Sequence, residues 1–129
     1  MLTFEELETM LYEIVNELPG DLFKELNGGV FLHPEIKLHA ESEDYNNLYI
    51  LGEYHSDPRG LGRYITIYYG SFMRLYANTS PEYQKERLKK VLFHEFTHHL
   101  ESLAGERELE KKDNIDLWKY KSRKLRVQK

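Results

Sequence analysis

Val91-Leu92-Phe93-His94-Glu95-Phe96-Thr97-His98-His99-Leu100 is the stretch that decides how this chain reads. It sits inside a long helical pattern. Ser80 is placed to cap that helix, and Pro81 takes its first position, where a missing N–H costs nothing. Leu88, Val91, Leu92, Phe96, Leu100 and Leu103 keep the helical period, and Gly105 is placed to end it. Residues four apart share a face, so His94 and His98 can turn two imidazoles toward one ion. Zinc accepts such nitrogens at about 2.0–2.1 Å, usually in a tetrahedral site. Glu95 stands one position along. It can lean over a water polarised by the ion and take its proton as general base. His99 faces elsewhere, as a residue behind the ligands or at the surface.

A catalytic zinc normally has three protein ligands and one open position. Glu101 continues the stripe of His94 and His98. At 1.5 Å per residue, however, His94 and Glu101 lie about 10.5 Å apart along the axis, which places Glu101 beside the site or in solvent. The third ligand is therefore sought beyond Gly105. An antiparallel return of the chain brings Glu110 and Asp113 level with the histidines. An extended turn brings Glu106 or Glu108 there instead. Asp113 is the ligand this reading favours. His33, His39 and His55 are further imidazoles on the strand-and-loop half of the chain.

Upstream, Thr3 caps a first helix and Glu6 completes a capping box. Phe4, Leu7, Met10, Leu11, Ile14, Val15 and Leu18 follow at helical spacing, and Pro19-Gly20 stops them. Asp21 to Leu26 reads as a short second helix. Val30-Phe31-Leu32 reads as a strand, kept from a central position by Pro34. Residues 39–47 are polar and acidic, a loop. Leu48 to Tyr54 and Arg63 to Tyr69 read as two strands of a hairpin around the turn Ser56-Asp57-Pro58-Arg59-Gly60. Ser71 to Tyr76 suggests a helical turn. Glu106 to about Arg123 is helical again but highly charged. The expected fold class is α+β: a small, mostly antiparallel sheet packed on an N-terminal helix and the long helix of the two histidines.

The bulk composition bounds the function. A chain of 129 residues suits one domain, with 40% hydrophobic and 31% charged residues. No apolar run is long enough to span a bilayer. The N-terminus is acidic and helix-patterned rather than a signal peptide. There are no cysteines, so a metal site must use His and carboxylates. These features fit a cytoplasmic protein. From Lys111 onward, eight Lys/Arg face Asp113 and Asp116, a local +6 within a net charge of −4. That tail reads as a solvated C-terminal helix. Nucleic acid is not the expected partner of that tail.

The stretch from Val91 to Glu106 resembles a family of small bacterial zincin-like metallopeptidases. Glu25-Leu26-Asn27-Gly28-Gly29, Leu48 to Gly52-Glu53-Tyr54, and Ile67-Tyr68-Tyr69-Gly70-Ser71-Phe72 resemble it too. The resemblance runs over most of the chain and implies a minimal zincin fold, a bound Zn2+ and peptidase activity on a peptide or protein substrate. His94, Glu95 and His98 match the family pattern. Members read H-E-x-x-H-x-x-G-x-x-D, whereas Glu101 stands here at the Gly and Ala104 at the Asp. Zincins often bind substrate along an edge strand beside the metal helix. Arg63 to Tyr69 is the expected strand, with Tyr64, Tyr68 or Tyr69 as the donor to a developing oxyanion. Two other readings stand beside this one: a metal-binding regulatory or interaction domain without hydrolysis, and a metal-free interaction domain using the basic tail.

Overall fold

A computed structural model describes residues 2–39, 48–57, 59–60 and 62–107. Helix α1 (Phe4–Glu17) begins as the capping box requires. The Glu6 N–H donates to Thr3 Oγ1 at 3.1 Å, and the Thr3 N–H donates to Glu6 Oε1 at 2.9 Å. Its Leu7, Leu11 and Ile14 are fully buried. The expected helix over 21–26 is instead a 3-10 turn, Gly20–Phe23. Glu25 has φ 64°, and an L-residue in that left-handed region cannot continue a helix.

Three strands follow: β1 (Gly29–His33), β2 (Gly52–Asp57) and β3 (Gly62–Tyr68). Their order is β1-β3-β2. β2 and β3 form the expected antiparallel hairpin, but β1 pairs parallel to β3. The sheet is thus mixed rather than mostly antiparallel. β2 lies on the far side of β3 from β1, so β3 stands between the two strands that precede it in the chain. As the middle strand, β3 carries the sheet's most deeply buried run, Ile65 to Tyr68. β1 is an edge strand, as Pro34 requires. β2 begins four residues later than the expected Leu48. Before it, Leu38 and Tyr49 form a separate bridge, with the His39 N–H on the Leu48 carbonyl and the Ile50 N–H on the Lys37 carbonyl, both at 2.8 Å.

Helix α2 (Tyr69–Tyr76) follows β3 directly. Helix α3 (Pro81–Arg107) has 27 residues and runs about 40 Å at 1.5 Å per residue. Ser80 Oγ accepts from the Tyr83 N–H at 3.2 Å, the expected cap. α3 packs across β2, β3 and α1 through Leu88, Leu92, Phe93, Phe96 and Leu103. Phe96 meets Phe23 edge-on at 5.2 Å. Gly105 does not end the helix, which continues to Arg107. A glycine inside a helix costs only about 1 kcal/mol, so the surrounding helix can carry it. Among the described residues no helix is long and apolar enough to cross a membrane.

Candidate metal centre

α3 carries two neighbouring stripes. Leu88, Leu92, Glu95, His99 and Leu103 are buried at helical spacing, while His94, His98 and Glu101 are exposed. The pattern therefore places two polar residues, Glu95 and His99, in the core-facing stripe. Both acquire partners from β2.

The two exposed imidazoles converge. Nε2 of His94 and Nε2 of His98 are 3.1 Å apart, with the rings nearly perpendicular at 85°. Two nitrogens bound tetrahedrally at about 2.05 Å would stand about 3.3 Å apart. The pair fits one zinc with a shift of a few tenths of an ångström. The same distance also permits one ring N–H to donate to the other ring. The histidines open onto a cleft of about 940 Å³ between α3 and β2, walled by Glu53, Tyr54 and His55 and also reached by His39, Glu95 and Glu101. A smaller lobe of about 490 Å³ continues along α3 to Arg87 and Lys90 and shares Gly52, His94 and Glu95 with the first.

Glu95 is only 5% exposed. Burial pushes its carboxyl up to about 7, the nearby Glu53 carboxylate adds to this, and the Tyr54 backbone N–H donates to it and opposes the rise. Glycine at position 52 allows the approach. A Cβ there would lie 3.0 Å from Val91 Cγ1, 3.1 Å from Ile67 Cδ1 and 3.3 Å from Glu95 Cγ. β2 can thus lie tight against the turn of α3 that holds Glu95.

Glu53 is tied down on its other side. Lys37 Nζ donates to its Oε1 at 2.7 Å and the Tyr68 hydroxyl donates to the same oxygen. Burial raises the Glu53 carboxyl, but these two donors together hold it below the usual carboxylate range. Tyr68 is itself pushed up to about 12 by burial and by Glu53. Glu53 therefore stays a fixed negative charge beside Glu95, which keeps a proton near neutrality.

Tyr54 links β2 to α3 at two heights. Its N–H reaches Glu95, and its hydroxyl lies 2.9 Å from Nδ1 of His99, one helical turn further on. His99 is fully buried, not at the surface, and its Nε2 is 3.0 Å from the Lys24 carbonyl. A carbonyl only accepts, so Nε2 carries the proton. In the neutral ring Nδ1 then accepts from Tyr54.

The remaining expected site residues divide. His39 and His55 line the cleft, and His55 stacks on Tyr64 at 4.4 Å. His33 does not line it; its Nδ1 accepts from the Glu35 N–H at 3.4 Å. Glu101 lines the cleft on an exposed position. The turn that would bring Glu106 back is absent, because α3 runs on through it. Glu108, Glu110 and Asp113 lie outside the described residues, as does the basic tail. Among the described residues no group of three or more His, Asp or Glu could hold an ion. The expected substrate strand, Arg63 to Tyr69, is corrected: β3 is central and paired on both sides, so the edge beside α3 is β2. The expected oxyanion donors are corrected with it. Tyr68 is engaged by Glu53, the Tyr69 hydroxyl donates to the Leu2 carbonyl at 2.7 Å, and none of Tyr64, Tyr68 and Tyr69 lines the cleft.

No family profile and no curated protein matches the chain. Among solved structures, a conserved hypothetical protein from T. thermophilus is 32% identical, with a TM-score of 0.67 over 81% of this chain and 99% of that one. The chain belongs to the same family as that protein. The family is shown as a fold and a sequence kinship, and its α+β class agrees with the expectation from sequence.

Sequence reasoning passes over the two β2 residues that complete the site. From their neighbours alone, Glu53 and Tyr54 read only as parts of a strand. The signal available is Gly52: a glycine inside an otherwise β-prone run marks close backbone approach.

Proposed function

We propose that the chain is a zinc-dependent peptidase with a zincin-like arrangement. The observation that carries this reading is the convergence of His94 and His98 at 3.1 Å beside a buried carboxylate in one open cleft. Zinc, when bound, supplies Lewis acidity that makes a water nucleophilic at neutral pH and polarises a carbonyl. The chain's own residues do the rest. Glu95 accepts the proton of that water on its carboxylate. Burial raises the proton affinity of this carboxyl, which helps it keep the proton and then deliver it to the leaving amine, while a cation bound beside it would draw that affinity back down. The Tyr54 N–H fixes the carboxylate, and Glu53 keeps its affinity for the proton high. Asp113 is the proposed third ligand.

An extended peptide would lie along the outer edge of β2. The Tyr68 N–H donates to the Leu51 carbonyl, so in this register the peptide groups of Gly52, Tyr54 and Ser56 turn away from β3; the Tyr54 N–H is taken by Glu95, which leaves the Gly52 and Ser56 groups and the Tyr54 carbonyl for a peptide. The test compares zinc-equilibrated wild type with Glu95→Gln on a peptide library. Cleavage by the wild type and its loss in the variant are expected. Equal cleavage by both would remove Glu95 as the base.

One observation favours a second reading, a metal-binding module without hydrolysis: the described residues supply two ligands and not three. Stoichiometric zinc with no cleavage of any peptide would select it.

A further inference from the structure

The smaller lobe of the cleft differs in charge from the larger one. Its basic side chains, Arg87 and Lys90, lie three residues apart on α3, and among the described residues Glu95 is the only carboxylate that lines it. Glu53 and Glu101 line the larger lobe. Lys85 and Lys89, on the adjoining face of α3, pair with Glu17 at 3.6 and 3.7 Å. Arg87 and Lys90 are not paired with a carboxylate among the described residues. Arg87 is also held in place. Its Nε donates to the Tyr76 hydroxyl at 3.1 Å, and its guanidinium lies 5.2 Å from the centre of the Tyr76 ring. That contact uses Nε and leaves the two terminal nitrogens, which together match the two oxygens of a carboxylate.

We propose that this lobe is a substrate subsite for a carboxylate, with Arg87 as the specificity-determining residue and Lys90 as a second positive charge. The proposal rests on the peptidase reading and names the class of peptide it takes: one with an acidic group near the scissile bond. The spacing sets where. Lys90 is about 6 Å and Arg87 about 10.5 Å from His94 along α3, at 1.5 Å per residue. An extended chain covers about 3.3 Å per residue, so the carboxylate belongs two to three residues from the bond held at the histidines. β2 runs from the small lobe toward His55 in the large one. A peptide pairing antiparallel to it enters the small lobe with its C-terminal half. The carboxylate is then either an acidic side chain on that half or the free C-terminus of a short peptide.

The test is fluorescence anisotropy on zinc-equilibrated, full-length Glu95→Gln protein, which holds peptide without turning it over. The probes are dye-labelled alanine-based hexapeptides with one Glu, Gln or Lys in the C-terminal half, each as free acid and as amide. Expected is binding about tenfold or more tighter for the peptide with a carboxylate, the size of a charge-assisted hydrogen bond. A preference lost on changing Glu to Gln identifies a side-chain carboxylate, and one lost on amidation identifies the terminal one. Combining Arg87→Gln with this background should abolish the preference, Arg87→Glu should turn it toward Lys, and Arg87→Lys should keep part of it. Equal binding of all probes, no binding of any, or a preference untouched by Arg87→Gln overturns the proposal. Cleavage by the wild type without a charge preference overturns this subsite and leaves the peptidase standing. A charge preference without cleavage does the reverse.

Discussion

Replacing Glu95 by Gln in metal-free protein should stabilise the fold at alkaline pH. The carboxyl titrates at about 7 in the fold against 4.5 in an exposed chain. The folded state therefore binds this proton more tightly than the unfolded state. Stability from this group is fully present below pH 4.5 and is lost as pH rises through 7. That gap corresponds to ~3 kcal/mol at 1.36 kcal/mol per pH unit, an order-of-magnitude figure. The amide of the variant carries no such charge and loses nothing. The assay is urea unfolding of both proteins at half-unit steps from pH 4.5 to 8.5 with a chelator present, because a bound cation would favour the ionised carboxylate. The variant should match or trail the wild type at pH 4.5, then gain on it by ~2–3 kcal/mol by pH 8, with the midpoint of the change at about pH 6, between the two values, and a plateau setting in above 7. A difference that stays constant to within ~0.5 kcal/mol across the range would refute the reasoning, since a buried carboxylate forced to ionise must show this slope.

Three further outcomes follow from packing and chemistry. Gly52→Ala should cost about 1–3 kcal/mol, because its methyl must displace Val91, Ile67 or Glu95; calorimetric melting checks it, and an unchanged Tm would contradict the close approach. Tyr54→Phe should cost about 1–3 kcal/mol by removing the hydroxyl from its contact with Nδ1 of buried His99, measured by denaturant unfolding at pH 7.5. Asp113→Asn should weaken zinc binding by more than tenfold in a chromophoric-chelator competition while Glu101→Gln changes it little; the opposite ranking would move the third ligand onto α3.

Much of this architecture was legible from local chemistry. The capping box at Thr3 and Glu6, the Ser80-Pro81 start and the hairpin around Arg59-Gly60 are set by residues within a few positions of one another, and local rules read them well. The misses share a cause. The parallel pairing of β1 with β3 depends on where the chain from His33 to Leu51 travels, which no short pattern encodes. The central position of β3 follows from the same crossover, and so does the transfer of the cleft-side edge to β2. Gly105 carries an end signal but sits in a helix that simply continues. The histidine pair was readable because a four-residue spacing on a helix fixes its own geometry. Glu53, Tyr54 and the buried role of His99 were not, because each depends on contacts between α3 and another part of the chain. The likeness to the T. thermophilus protein supports the fold and carries no statement of activity.

Everything chemical in the account depends on His94 and His98 holding one ion. The direct measurement is zinc stoichiometry and affinity at pH 7.5 for the wild type, His94→Ala and His98→Ala, by inductively coupled plasma analysis after dialysis and by chelator competition. One zinc per wild-type chain, with affinity reduced at least a hundredfold in each variant, is the expected result. No zinc on the wild type, or equal zinc on all three, would contradict the account.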